Sequence, residues 1–236
     1  MSQTSATRAR SRHISGDALT ITTSEGDARA RVTTPDRAPV GAIMLGHGAG
    51  GGVDAPDILT AARAASDAGW AVALVEQPYR VAGRRSPVPA PRLDAAWTEV
   101  AAALSGRDGP LHDLPLVTGG RSSGARVACR TATATDAIGV LCLAFPLRPP
   151  ARAGSDRRAP SRQPELDGAA VPVLVVQGSG DRFGMPRSST KLGRTVVRVE
   201  GDHGLKRDHA RIARAVERWL RGLRAAASDV GSAGGE

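Results

Sequence analysis

Aromatic side chains are scarce in this chain, at 3% of 236 residues, with two Phe, one Tyr and three Trp. A core is therefore built mainly from Ala, Val, Leu and Ile, and a stacking surface for nucleic-acid bases is not expected. Lysine is rarer still: Lys191 and Lys206 are the only two among 32 basic side chains. The arginines are scattered rather than clustered, so the net charge of +9 reads as a solvated surface, with no specific nucleic-acid partner. Neither of the two cysteines, Cys129 and Cys142, has a Cys-x-x-Cys partner, which argues against a zinc ribbon or a redox motif. Both are expected as small core hydrophobes in a reducing, cytoplasmic compartment. No run approaches the ~18 apolar residues of a membrane span, so no membrane association is expected. The first fifteen residues carry arginines but no apolar stretch, unlike a secretory leader.

What remains suffices for one core. Apolar residues make up 41% of the chain, and its length suits a single α/β domain. The expected organisation is a disordered tail over 1–15, a domain over 16–226 and a second tail over 227–236. Leu19–Thr22 and Ala28–Thr33 alternate in character around Glu25-Gly26-Asp27, which reads as a hairpin. From Val40 onward, apolar runs alternate with helical patterns. Strands are expected at Val40–Leu45, Ala71–Val75, Leu114–Val117, Ile138–Phe145, Val171–Gln177 and Val196–Val199. Helices are expected from Asp54, as a cap, to Asp67, over Leu93–Leu104, from Ser122 to about Thr133, and over Lys206–Leu223. Residues 80–92 and 146–170 read as loops. This alternation implies a mainly parallel sheet with helices on both faces.

The chemistry-bearing segment is Gly120-Arg121-Ser122-Ser123-Gly124, set between a strand and a helix. Gly-x-Ser-x-Gly in that setting is the layout of a nucleophile elbow, which lifts the Ser122 hydroxyl clear of the sheet. A serine hydroxyl needs a base to take its proton and an acid to orient that base. In parallel sheets such groups sit at the carboxyl ends of strands. Asp181 follows the Val171–Gln177 strand and His203 follows the Val196–Val199 strand. Asp202 adjoins His203, and its side chain is expected to diverge, which leaves Asp181 as the orienting acid. The order Ser122, Asp181, His203 matches one known arrangement of such triads. An oxyanion needs backbone donors, and the expected pair is the Ser123 N–H and the Ala49 N–H of the loop Gly46-His47-Gly48-Ala49-Gly50-Gly51. His47 is expected to shape that loop rather than act as a base.

Several motifs carry a resemblance: Gly46–Gly51, Gly119–Gly124, Phe145–Pro150, Gln177–Asp181 and Asp202–Gly204. Over about residues 18–224 the chain resembles the α/β-hydrolase superfamily, its small dienelactone-hydrolase-like group, and within that the testis-expressed hydrolase-like proteins related to the third subunit of the NSL chromatin complex. The resemblance implies an α/β-hydrolase fold and a serine hydrolase, or esterase, that needs no cofactor or metal. The segment 146–170 is too short and polar for a large lid, which favours a small or medium acyl substrate. Arg80 and Arg148, with Arg84, Arg85, Arg152, Arg157 and Arg158, fall in loops expected near the cleft and suit an anionic substrate.

Two rivals share these residues. One is a catalytically silent scaffold or interaction module of the same fold. The other is a dinucleotide-binding oxidoreductase, because Gly46-x-Gly48-x-x-Gly51 matches that fingerprint and Glu76 ends the next strand. Gly52, Val53, Asp54 and Pro56 place the following helix too late for a pyrophosphate site.

Overall fold

A computed structural model of the chain describes residues 18–150 and 159–232. Strands β1 (Ala18–Thr23) and β2 (Gly26–Thr33) form the hairpin at one edge. The remaining strands are β3 (Ala42–Gly46), β4 (Ala71–Glu76), β5 (Leu116–Arg121), β6 (Gly139–Leu143), β7 (Val173–Gly178) and β8 (Arg194–Val199). They join in one eight-stranded sheet in the order β1-β2-β4-β3-β5-β6-β7-β8. β1 and β2 run antiparallel to their neighbours, while β4 through β8 are mutually parallel along the sheet. This is an α/β-hydrolase architecture.

Because strand side chains alternate between faces, each apolar run feeds two cores. Ile43 and Leu45 of β3 point into a core shared with helix α1 (Pro56–Asp67) and helix α6 (His209–Ser232), where Ile58, Trp70, Ile212, Val216 and Leu220 are buried. Ala42 and Met44 point to the opposite face. There, Leu93, Trp97, Val100 and Leu104 of helix α3 (Ala90–Ser105) cover the sheet. Beside them, helix α4 (Ser123–Thr131) packs Ala125, Ala128 and Cys129 against Cys142 and Phe145. Both cysteines are buried free thiols, with sulfurs 3.5 Å apart.

The side of α4 away from the sheet is held by charge. Arg126 reaches Glu165 through Nε and Nη2 at 2.8 and 2.6 Å, and Arg130 reaches Asp94 of α3 the same way at 2.8 and 2.6 Å. Such two-pronged pairs fix direction as well as distance. Glu165 lies on α5 (Gln163–Asp167). Within 146–170, the described residues build only this short helix.

The structure departs from the sequence reading in several further places. Asp54 does not cap α1: Ala55 occupies that position without a side-chain bond, and Asp54 pairs with Arg31 of β2. A short helix, α2 (Pro78–Val81), reaches into the loop expected at 80–92. β5 continues through Gly119 and Gly120 to Arg121, because the ladder needs backbone groups and not apolar side chains. The last helix runs to Ser232, six residues into the expected tail, because Ala225-Ala226-Ala227 propagates a helix without marking a face. The tail expected at 1–15, and Arg152, Arg157 and Arg158, lie outside the described residues.

Trp97 links core to site, since a Cβ on Gly46 at the end of β3 would stand 2.9 Å from its ring. Its side chain is buried and its Nε1 has no hydrogen-bond partner among the described residues. Trp97→Ala is therefore expected to cost about 3–5 kcal/mol of stability. Trp97→Phe forfeits no hydrogen bond and should cost much less. Urea denaturation of both variants checks this, and equal losses would contradict it.

Candidate active site

The carboxyl ends of β3, β5, β7 and β8 bring four loops together. β3 and β5 pair in register, with Gly46 opposite Gly120. A Cβ at residue 120 would stand 2.5 Å from the Gly46 carbonyl oxygen, and one at 124 would stand 2.8 Å from the Gly46 and His47 carbonyl oxygens. Glycine at both positions is thus a packing requirement. Between them Ser122 adopts φ 52° and ψ −104°, a conformation L-residues rarely hold. Its N–H bonds the Leu143 carbonyl at 2.9 Å, which fastens the turn to β6.

The turn presents the Ser122 hydroxyl to His203. Ser122 Oγ lies 3.0 Å from His203 Nε2, and His203 Nδ1 lies 2.9 Å from Asp181 Oδ2. The Asp181 side chain is fully buried, and that of His203 is 20% exposed. The loop carrying Asp181 is tightly supported. The Phe183 N–H donates to Asp181 Oδ1 at 2.8 Å. Gln177 Nε2 donates to Asp181 Oδ2 at 2.8 Å, and also to the Phe145 and Gly184 carbonyls at 3.0 and 2.9 Å. The Phe183 ring packs on the imidazole at a centroid separation of 4.3 Å. Asp202 turns away, accepting from the Gly204 N–H at 2.8 Å. With one carboxylate oxygen on Nδ1, that nitrogen carries the proton and Nε2 is left to accept from Ser122.

His47 is buried at 3% exposure, and both ring nitrogens are engaged. The Gln77 N–H donates to Nε2 at 3.1 Å, so the proton sits on Nδ1, which donates to the Gly48 carbonyl at 2.9 Å. A carbonyl drawn toward His47 directs the N–H of the same planar peptide, that of Ala49, away from it. The Tyr79 hydroxyl holds the Ala49 carbonyl at 3.2 Å, which orients the next peptide. Among the described residues, the Ala49 and Ser123 amides donate to no protein group. For Ser123 this follows from its place in the first turn of α4.

Arg80 on α2 lies close enough to His47 and Tyr79 to act on both electrostatically, and its Nε is buried without a partner among the described residues. Arg148 lies on the other side, its backbone N–H bonded to the Phe183 carbonyl at 2.9 Å and its side chain exposed. Arg84 and Arg85 are exposed. α1 begins at Pro56, beyond the glycine loop, and Glu76 faces Arg29 at 3.9 Å. Among the described residues, no cluster of three His, Cys, Asp or Glu side chains could hold a metal, and no helix is long and apolar enough to cross a membrane.

Sequence reasoning missed Gln177, Phe183, Tyr79, Arg121 and Asp57. Gln177 left one signal, a polar side chain closing an apolar run. Phe183 and Tyr79 left another, as two of the few aromatics, each near a strand's carboxyl end.

Burial holds the His47 imidazole below its ordinary 6.5, partly offset by its bond to the Gly48 carbonyl. The unfolded chain therefore takes up this proton before the folded one, and the associated stability, complete above 6.5, is lost as pH falls below it. His47→Gln removes that component. Its denaturation midpoint is expected to fall less than that of the unsubstituted protein between about pH 7 and 5. Parallel declines would contradict the assignment.

No curated protein matches the sequence. Several solved structures share the fold. One is Est1E from Butyrivibrio proteoclasticus, at TM-score 0.70 and 16% identity, covering 89% of this chain and 100% of that one. Another is XC6422 from Xanthomonas campestris, described as an α/β serine hydrolase without lid, at TM-score 0.66 and 22% identity, covering 87% and 93%. A dienelactone hydrolase from Anabaena variabilis matches at TM-score 0.68 and 14% identity, covering 88% and 97%. The family model described as "Alpha/beta hydrolase domain" matches residues 39–228, a span from before β3 into α6, and the chain belongs to that family.

Proposed function

We propose that this chain is a serine hydrolase that cleaves a carboxylic ester, or a related acyl bond, of a small or medium substrate. The observation that carries this reading is the hydrogen-bonded series Ser122–His203–Asp181, with spacings of 3.0 and 2.9 Å on three separate loops. Ser122 Oγ attacks the carbonyl carbon while its proton passes to His203 Nε2. The Ala49 and Ser123 amides hold the oxyanion. Collapse expels the alkoxide, which takes the proton from Nε2 and leaves an acyl-enzyme. Water then attacks, losing a proton to Nε2, and that proton returns to Ser122 as the acid departs. Asp181 keeps the imidazole in its Nδ1–H form and stabilises the imidazolium. Donors of this kind contribute about 3–4 kcal/mol each to such transition states.

The narrower grouping, with dienelactone-hydrolase-like enzymes and NSL-related hydrolases, rests on the motifs Gly119–Gly124 and Asp202–Gly204. A cytoplasmic setting fits two buried free cysteines. A silent scaffold of the same fold has no structural need for a strained serine facing a histidine. A dinucleotide site is disfavoured by the late start of α1.

A fluorophosphonate probe is expected to label the native protein and not folded Ser122→Ala. Absence of labelling in the folded native protein would overturn the enzyme reading.

An anionic acyl substrate fits Arg80, whose buried Nε has no partner among the described residues, on one side of the site and the exposed Arg148 on the other. Arg80→Gln is expected to raise KM several-fold for a carboxylate-bearing ester and leave a neutral ester unchanged, with the preference shrinking as salt rises. Equal KM values at all salt concentrations would contradict this.

A further inference from the structure

Arg121 fills the variable position before the nucleophile, which the Gly-x-Ser-x-Gly pattern leaves open. Its guanidinium is not spent on solvent. Nη2 donates to the His203 carbonyl at 3.0 Å. Nε stands 3.0 Å from Asp57 Oδ2, in the first turn of α1, where the Asp57 side chain is fully buried; this is a contact of opposite charges without the alignment of a hydrogen bond. A Cβ on Gly48 would lie 3.2 Å from Nη1, so the glycine loop packs directly against the same group. One planar cation, joined through the backbone to Ser122, therefore reaches two of the three other loops that contribute to the site, the glycine loop and the His203 loop.

The partners explain why the cation stays there. Asp57 has no charged partner but Arg121 among the described residues. Burial holds its carboxyl above the ordinary value, and the Arg121 guanidinium offsets only part of that rise. An ion pair in this setting is strongly destabilising to break from one side, because a buried charge is left alone. The guanidinium is thus held beside Asp57 by charge, and Nη2 is held by its own bond to the His203 carbonyl. The loop from β8 carries the base on an irregular segment, Glu200–Gly204. Its backbone meets the β7 end at Gly180, whose N–H donates to the Gly201 carbonyl at 2.9 Å, and at Gly178, where a Cβ would stand 2.4 Å from the Asp202 carbonyl.

We propose that Arg121 is a positioning residue that ties the His203 loop to the nucleophile turn, with Asp57 as the buried counter-ion that keeps it there. The tether acts on His203 through its backbone carbonyl, and it sets the distance between Nε2 and the Ser122 hydroxyl. It rests on the hydrolase reading for its catalytic consequence, but not for its geometry. It also accounts for the residue type. Lysine has a single ammonium and no fork, so it cannot stand beside the Asp57 carboxylate and bond the His203 carbonyl from two separate nitrogens at once.

The test compares Arg121→Met, Arg121→Lys and the double variant Asp57→Asn/Arg121→Met with the native protein. Three readouts are ester turnover, thermal stability and the proton NMR signal of the His203 Nδ1–H. Arg121→Met is expected to lower kcat by about ten- to a hundredfold, with KM changed less than about twofold, because base and nucleophile are misplaced while substrate contacts remain. It should also lose stability. Arg121→Lys and the double variant should recover stability, since neither leaves Asp57 charged and alone, yet keep the kcat defect and a broadened His203 signal. Recovery of kcat together with stability in either variant would show a purely structural role and overturn the proposal. So would a defect confined to KM, or an unaltered His203 signal in all three. An inert native protein whose His203 signal still depends on Arg121 would overturn the hydrolase reading and leave the tether standing.

Discussion

The carbonyl oxygen of Gly46 lies 2.5 Å from where a Cβ at residue 120 would stand and 2.8 Å from one at 124. On the other side of the same residue, the Trp97 ring leaves 2.9 Å for a Cβ at Gly46 itself. The end of β3 is therefore clamped between a core tryptophan and the Ser122 turn. Any side chain at these glycines forces β3 away from β5, where the sheet is most deeply buried. It also shifts the glycine loop relative to Ser122, and with it the amides of Ala49 and Ser123. Core packing and the geometry of the candidate oxyanion site thus depend on the same few tenths of an ångström. Close-packed interiors transmit such displacements instead of absorbing them.

Around this clamp, polar groups are buried at strand ends. Gln77 after β4 and Gln177 in β7 use the same device. Each donates through Nε2 to carbonyls of neighbouring segments, Leu93 in one case and Phe145 and Gly184 in the other. Each leaves its Oε1 without a partner among the described residues. Burying an amide oxygen in this way costs free energy, and what it returns is order in the loops that hold His47 and Asp181.

The sheet was largely legible, because buried parallel strands announce themselves as short apolar runs and the hairpin as alternation around Glu25-Gly26. Helices α2 and α5 were not, since four or five residues cannot display a periodicity. Asp54 misled for a tertiary reason: Arg31, remote in sequence, offers it a charge. Ser122, Asp181 and His203 could be picked out because each follows a strand, and strand ends are visible one segment at a time. Arg121 and Asp57 could not be paired, because their relation exists only after β5 and α1 are brought together across the sheet. The role of Phe183 likewise depends on a ring, His203, that arrives from β8.

Ser122 sits at φ 52°, where a serine costs the folded state about 1–3 kcal/mol and a glycine almost nothing. Folding alone would favour losing this side chain. Selection for thermal endurance, in nature or in a laboratory library, will therefore press on the Ser122 turn. Variants of this chain that become hardier by changes there are the ones in which the proposed chemistry should be assayed before anything else.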